Sequence, residues 1–204
     1  MSDTSDLHAP STIRSILWAR AELILCHVCI LGICGVLIGA FVIQFAEGEM
    51  PCPLCLIQRM CMILAALGPA FVILEGRSRF SHGFSIIGAG FGMSILAAVG
   101  GMSVSARQVL LHIAPGDPGY GTPVMGMHLY TWALVVFIVV IVVSGATVLF
   151  EPRIQLPRPT RLRWFTRCTL GLFALIIAAN VVAAILEAGP NLFLPDNPEK
   201  YLGL

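Results

Sequence analysis

The stretch "EGEMPCPLCLIQRMC", residues 47–61, places a Cys-x-x-Cys unit and an arginine between two long apolar runs. The runs Leu23–Ala46 and Leu56–Leu74 are each about as long as a membrane-spanning helix, which needs roughly 20 mainly apolar residues. The stretch therefore predicts the polar end of a helical hairpin in a membrane. Cys52 and Cys55 lie at that end, and Arg59 follows one helical turn later.

The composition of the whole chain agrees with a membrane location. Of 204 residues, 57% are hydrophobic and only 11% are charged, and the mean hydropathy is +0.90. Soluble domains usually carry about 25% charged residues, so a water-soluble domain is excluded. The net charge of +1 and the lack of a basic run give no indication of nucleic-acid binding.

Hydropathy predicts five membrane helices. The third contains "GAGFG", whose Gly88 and Gly92 have the spacing that lets helix backbones approach closely. In the second, Gly68-Pro69 predicts a kink or the end of the helix. The polar, acid-containing opening "MSDTSDLHAPST" argues for a retained first helix rather than a cleaved signal peptide. The predicted spans are Leu23–Ala46, Leu56–Leu74, Gly83–Ala106, Leu129–Phe150 and Cys168–Leu186.

The distribution of basic residues predicts the orientation in the membrane. Nine of the 12 basic residues lie before helix 1 or between helices 2 and 3 or 4 and 5, namely Arg14, Arg20, Arg77, Arg79, Arg153, Arg158, Arg161, Arg163 and Arg167. Cytoplasmic loops are enriched in Lys and Arg, so the N-terminus is predicted inside. The cysteine loop, the loop 107–128 and the C-terminal tail are then outside.

The cysteine pair has three interpretations from its residues alone. At a helix start, a thiolate can be stabilised by the helix N-terminus and by a nearby cation, which favours a redox dithiol. A static disulfide is the second interpretation, since disulfides persist outside the cytoplasm. The third is zinc, which would need two further ligands such as His112 and His128; we predict no metal site.

The other cysteines and the outward arginines need separate explanations. The thiols of Cys26, Cys29, Cys34, Cys61 and Cys168 are interpreted as small apolar packing groups. Arg59 and Arg107 lie at outer helix ends, against the orientation bias. Such arginines either reach towards lipid headgroups or mark a functional site.

The residues "PCPLCLIQR", followed by another cysteine, resemble the DsbB family (disulfide bond formation protein B). Members of this family are membrane thiol oxidoreductases built on a four-helix bundle. The resemblance implies that a Cys-x-x-Cys at the start of helix 2 is coupled to a quinone, with Cys52, Cys55 and Arg59 as catalytic residues. "ARQVLLH", residues 106–112, occupies a region associated with the quinone, which makes Arg59, Arg107 and His112 the candidate quinone-binding residues.

Two features depart from the family pattern. The loop 107–128 has no cysteine, whereas the family carries a second pair there that receives electrons from the soluble oxidase DsbA. A fifth helix and a tail also follow the four-helix pattern. The predicted organisation is an N-terminal cytoplasmic segment 1–22, a DsbB-like bundle 23–150, a basic cytoplasmic loop 151–167, a fifth membrane helix 168–187 and a periplasmic tail 188–204.

The resemblance implies a thiol:quinone oxidoreductase of the bacterial inner membrane. Cys52 would exchange electrons with a periplasmic thioredoxin-like partner, and Cys55 would face ubiquinone or menaquinone. Arg59 would stabilise the thiolate and the charge that builds on a quinone oxygen.

Two alternatives stay open at this point. The chain can be a non-catalytic membrane anchor of a periplasmic oxidoreductase. It can also hold a quinone that is fed by a partner's cofactor, with the cysteines as a static disulfide. In "GYGTPVMGMHLYTW", residues 119–132, Tyr120, Tyr130 and Trp132 fit an interfacial aromatic belt, or the loop covers the cysteine pair. His128 is a weaker candidate for proton transfer.

Overall fold

The computed structural model describes residues 9–46, 48–75, 85–150 and 163–188. Within these residues the chain forms five helices, each long and apolar enough to cross a membrane. They contain no β-strand beyond a single bridge between Val124 and Met127. The protein is therefore an all-α integral membrane protein, as predicted. The helices are α1 (Ala9–Ala46), α2 (Pro53–Glu75), α3 (Ile86–Leu111), α4 (Leu129–Leu149) and α5 (Arg163–Ala188).

The helix boundaries differ from the predicted spans in ways that matter for the site. Helix α1 begins at Ala9, inside the segment predicted as N-terminal, and α5 begins at Arg163 rather than Cys168. Helix α2 continues through Pro69, so Gly68-Pro69 does not end it. Helix α3 runs to Leu111, which places Arg107 within a helix. The basic loop residues Arg77, Arg79, Arg153, Arg158 and Arg161, and the predicted tail with Lys200, lie outside the described residues.

Helix α3 is the centre of the bundle, since it packs against both α2 and α4. Gly90 of the "GAGFG" motif lies against α2, where a Cβ atom on it would meet the carbonyl oxygen of Gly68 at 2.7 Å. At the same crossing, the hydroxyl of Ser94 donates to the carbonyl oxygen of Ala65 at 2.7 Å. The predicted close approach therefore exists, but at Gly90; Gly92 has open space beside it.

Helix α5 packs against α1 and, more lightly, against α2. At one end of the bundle, His27 of α1 hydrogen-bonds to Thr166 at 3.2 Å and stacks on Phe165 at 5.0 Å. At the other end, Gln44 of α1 donates to Glu187 of α5 at 2.5 Å. We call this second end the cysteine end, because α2 begins there with the cysteine pair. Polar contacts at both ends make the fifth helix part of the bundle.

Candidate active site at the cysteine end

The two cysteine sulfurs lie together at the first turn of α2. Cys52 precedes the helix, and its carbonyl oxygen accepts a hydrogen bond from the backbone N–H of Leu56 at 3.1 Å. Pro53 is the first helical residue, where its missing N–H costs nothing. The backbone N–H of Cys55 donates to the Cys52 sulfur at 3.2 Å, and the sulfurs are 2.7 Å apart. A disulfide bond is about 2.05 Å long, so a small approach of the two sulfur atoms is sufficient to form one.

Gln108 of α3 is the polar side chain that faces the sulfurs. Its Nε2 donates to Cys52 at 3.2 Å and lies 3.7 Å from the Cys55 sulfur. Its Oε1 accepts from Gln58 of α2 at 2.8 Å, and this bond orients the N–H groups towards the cysteines. Both glutamines are buried. Since amide N–H groups are donors, the arrangement stabilises negative charge on sulfur.

The Cys52 thiol is nearly enclosed, with 5% of its surface exposed. Its pKa is raised, first by the hydrogen bond shared with the Cys55 sulfur and second by burial. The N–H groups of Cys55 and Gln108 act in the opposite direction. Cys52 was predicted to be the reachable exchange thiol, yet Cys55 is the less buried of the two. Attack on Cys52 from outside therefore requires the residues above it to move.

Residues 112–128, which we call the cap loop, lie above the pair and are tied to the cysteine loop. The hydroxyl of Tyr120 donates to the carbonyl oxygen of Met50 at 2.6 Å. The Glu49 carboxylate accepts from the backbone N–H of Thr122 at 2.7 Å and from its hydroxyl. Burial, followed by the charges of Cys52 and Cys55, raises the pKa of Tyr120 to about 12. Tyr120 therefore stays a hydrogen-bond donor at neutral pH and holds the loop over the cysteines.

Arg59 is buried between α2 and α1. Its Nη1 donates to Oε1 of Gln44 at 2.7 Å, and its Nη2 donates to the carbonyl oxygen of Ala40 at 3.4 Å. The guanidinium lies over the ring of Phe41, 5.2 Å from the ring centroid, in a cation–π contact. It is close enough for its charge to act on Cys55. Arg59 thus connects the cysteine pair with the surface of α1.

The contact between Arg59 and Gln44 continues to the fifth helix. Gln44 accepts from Arg59 through Oε1 and donates through Nε2 to Oε1 of Glu187. Glu187 is 4% exposed, and its Oε2 atom has no hydrogen-bond partner within the described ranges. An arginine, an amide and a carboxyl group from three helices therefore form one buried line.

An open-sided apolar groove of about 480 Å³ runs along α1 beside Arg59. It is lined by Ile38, Phe41, Val42, Phe45 and Ala46. Phe41, whose ring carries the Arg59 guanidinium, also stacks on Phe45 with ring centroids 5.9 Å apart. Apolar and aromatic walls with a few placed polar groups are typical of small-molecule sites. The apolar and aromatic walls fit the flat ring of a quinone, and the Arg59 guanidinium lies on the ring of Phe41, one of the lining residues.

The similarity to known proteins covers this site. Residues 22–120 match the family described as "Disulfide bond formation protein DsbB". Over these residues, just under half of the chain, the protein is similar to the DsbB family. The matched segment contains the cysteine pair, Arg59, Gln108 and Gln44, but it ends before α4 and α5.

Several curated relatives are proteins named "Disulfide bond formation protein B". The chain is 39% identical to one from Chromohalobacter salexigens over 92 residues, which cover 44% of this chain and 51% of the relative. It is 37% identical over 100 residues to one from Neisseria meningitidis, with 46% and 59% covered. With one from Burkholderia thailandensis it shares 26% over 143 residues, with 55% and 81% covered. The first relative is thus matched over about half its length, and no solved structure matches the chain.

Two of the residues expected from the DsbB resemblance lie away from the sulfurs. Arg107 is exposed, and the next residue, Gln108, faces the pair instead because successive helical residues point about 100° apart. His112 caps α3, pairs with Asp117 at 3.1 Å and stacks on Tyr130 at 5.7 Å. Neither residue has a described contact with the cysteines, so their part in quinone binding stays a prediction.

The remaining histidine and cysteine candidates are also separate from the pair. His128 stacks on Tyr130 with ring centroids 5.2 Å apart. No cluster of three or more potential metal ligands occurs in the part of the chain that the structure describes. Cys26, Cys34 and the other cysteines outside the pair are free thiols.

Sequence reasoning missed the amides and the acid of this site. Gln44, Gln108 and Glu187 lie within otherwise apolar membrane helices. Polar side chains at such positions are a default signal of function. That signal was available, because each stands out in its span, but it does not say which of them meet. Only their contacts across helices connect them to Cys52 and Arg59.

Proposed function

We propose that this chain is a membrane thiol:quinone oxidoreductase of the DsbB type. Electrons from a periplasmic thioredoxin-like partner enter at the Cys52–Cys55 pair and leave to a membrane quinone beside Arg59. The strongest support is the position of the two cysteine thiols, which lie between the side-chain amide of Gln108 and the guanidinium of Arg59. Gln108 faces the sulfurs, while Arg59 leads from them to the aromatic groove on α1.

The first half of the cycle takes place at the sulfurs. A partner thiolate attacks one sulfur of the oxidised pair, and the other sulfur leaves as a thiolate. Gln108 Nε2 lies 3.2 Å from the Cys52 sulfur and 3.7 Å from the Cys55 sulfur, so it stabilises the anion on whichever sulfur leaves. A second thiolate of the partner resolves the mixed disulfide, so the partner becomes oxidised and the pair becomes a dithiol. If the attacked sulfur is that of the enclosed Cys52, the Tyr120 hydrogen bond to Met50 opens first.

The second half returns the pair to the disulfide. A bound quinone supplies the capacity to accept two electrons and two protons. Arg59 presents a fixed positive charge beside the groove, where it stabilises negative charge on an oxygen atom. Phe41 positions the guanidinium through the contact at 5.2 Å. The sulfurs lose two electrons as the S–S bond forms, and the thiol protons leave to water.

Arg59 provides the test, with the two halves of the cycle measured separately. Arg59→Lys keeps the charge but loses the planar set of donors, and Arg59→Ala loses both. Both variants should slow quinone reduction, alanine more than lysine, and raise the apparent KM for quinone. The cysteine pair should then accumulate in the reduced form in membranes, because electrons enter but do not leave. An oxidised pair at normal protein abundance would contradict this function.

A non-catalytic anchor of a periplasmic oxidoreductase is the second candidate. It is favoured by the lack of a cysteine in residues 112–128, because the second relay pair is missing from the cap loop. If the chain is an anchor, Arg59→Ala should lower protein abundance and leave the redox state of the cysteine pair unchanged. Measuring abundance and redox state on the same membranes therefore separates the two functions.

We further propose the bacterial inner membrane as the location, with the N-terminus in the cytoplasm and the C-terminus in the periplasm. The nine-to-three bias of the basic residues supports this orientation. Reporter fusions after Arg79 and Arg163 should behave as cytoplasmic, and a fusion after Pro198 as periplasmic. A cytoplasmic signal from the last fusion would contradict the orientation of the fifth span.

A further inference from the structure

The fifth helix brings a carboxyl group to the site. Glu187 lies at the cysteine end of α5, outside the residues that match the DsbB family. An acid within a membrane-spanning helix is costly and usually has a functional role. Its side chain is 4% exposed, and it meets α1 through Gln44 at 2.5 Å rather than facing lipid.

The two oxygens of Glu187 have different environments. Oε1 accepts the hydrogen bond from Gln44 Nε2, and the amide of Gln44 is held in that orientation because its Oε1 accepts from Arg59. Oε2 has no hydrogen-bond partner among the residues described. Buried polar atoms are nearly always partnered. A buried carboxyl oxygen that lacks a hydrogen-bond partner and lies near a cation is therefore suited to bind or exchange a proton with a ligand.

Charged and titratable groups face Glu187 from two other elements. Arg59 approaches from α2, and Tyr120 of the cap loop is close enough to feel the Glu187 charge. Helix α1 contributes the neutral amide of Gln44. Tyr120 itself holds its proton up to about pH 12, since burial raises its pKa to about 12. Among the described groups around it, Glu187 is thus the carboxylic acid that lies beside both the Arg59 guanidinium and the neutral Tyr120 hydroxyl.

We propose that Glu187 is the proton-exchanging residue of the site beside Arg59, so that α5 supplies a catalytic group absent from the four-helix pattern. This inference rests on the proposed function. As the cysteine sulfurs lose two electrons and form their bond, their two protons pass to water. Glu187 gives a proton from Oε2 to the quinone oxygen, regains one from water at the cysteine end, and gives the second. The overall reaction converts a dithiol and a quinone into a disulfide and a quinol, so that electrons and protons balance.

The test uses the full chain in lipid nanodiscs with a short-chain quinone. Glu187→Gln keeps the Oε1 acceptor for Gln44 but holds no exchangeable acid proton, and Glu187→Asp keeps the acid. Glu22→Gln is the matched control, since Glu22 is a buried acid of α1 about 33 Å along the helix from Gln44. The measurements are the quinone dissociation constant, the rate of pair re-oxidation against pH, and the carboxyl band in the infrared difference spectrum.

We expect Glu187→Gln to bind quinone within about twofold of wild type and to re-oxidise the pair about a hundredfold more slowly or more, in the range of general acid catalysis. The pH dependence and the carboxyl band should disappear in this variant and persist in Glu187→Asp and Glu22→Gln. A folded Glu187→Gln with wild-type rate, pH profile and spectrum would overturn the proposal. Loss of stability in both Glu187 variants with unchanged kinetics would overturn it as well, in favour of a structural role. Failure of the wild-type protein to bind quinone would instead refute the proposed function itself.

Discussion

Replacing Gln108 by methionine tests whether its amide activates the cysteine pair. The substitution preserves approximate side-chain length and apolar volume but removes the Nε2 donor, which lies 3.2 Å from Cys52 and 3.7 Å from Cys55. It also removes the Oε1 acceptor of Gln58. The double substitution Gln58→Met with Gln108→Met therefore avoids leaving a buried amide without its partner.

The expected effect follows from the shorter of the two sulfur contacts. A hydrogen bond to a charged group contributes about 1.5–3 kcal/mol, and one pKa unit corresponds to about 1.4 kcal/mol. Losing the Gln108 donor should raise the pKa of the cysteine pair by roughly 1–2 units, because its N–H group lies close to both sulfurs and favours a thiolate on either one. At any pH below the pKa, the thiolate fraction then falls roughly tenfold to a hundredfold.

Alkylation kinetics measure this change directly. The reduced protein, with the five cysteines outside the pair replaced by alanine, is treated with iodoacetamide over a range of pH. The rate is proportional to the thiolate fraction, and opening of the cap loop precedes the reaction equally in all variants. Ser103→Ala is the matched control on α3, since its hydroxyl is exposed and donates to the carbonyl oxygen of Val99 in the same helix.

The result that would refute this reasoning is a folded double variant with the wild-type rate and the wild-type pH profile. An equally slow alkylation of the Ser103→Ala variant would also contradict it, because the effect would then come from any substitution in α3 and not from the lost amide. A slower rate in Gln108→Met alone, restored in the double variant, would assign the effect to the stranded Gln58 amide instead.

Three further predictions concern packing, the cap loop and acid. Gly90→Ala should lower the free energy of unfolding by about 1–3 kcal/mol, because the new Cβ atom would meet the backbone of α2 at 2.7 Å. Gly92→Ala is the control: its Cβ atom would have open space, so thermal unfolding should be unchanged. Tyr120→Phe loses the 2.6 Å bond to Met50, worth about 1 kcal/mol, and should make the pair several-fold faster to alkylate; an unchanged rate would show that the loop is not held by this bond. The Gly119 N–H and then His112 hold the pKa of Asp117 below its ordinary value of 3.8. The loop order that this carboxylate provides is therefore present above about pH 4 and is lost as the pH falls through the lowered pKa. Hydrogen exchange of the loop should show that loss in the wild-type protein and no pH step in Asp117→Asn.

The helices and the position of the cysteine pair could be predicted from the sequence because both depend on local properties. Hydrophobic runs of sufficient length form helices in a bilayer whatever their neighbours, since the backbone must satisfy its own hydrogen bonds there. The pair and Arg59 lie between two such runs, so their place at one end of a hairpin needs no knowledge of packing. Hydropathy alone predicted helices that are too short: in the structure, polar residues extend α1, α3 and α5 beyond their apolar runs.

Only the tertiary structure decided which side chains complete the site. Membrane helices are apolar on most sides, so the periodicity that reveals the buried face of a soluble helix is weak here. The choice between Arg107 and Gln108 depends on how α3 is rotated against α2, and the structure turns Gln108 inwards. Gln44 and Glu187 are 143 positions apart in the chain, and no local pattern connects them. Their contact follows from the packing of α5 against α1, since a buried amide and a buried acid each need a partner.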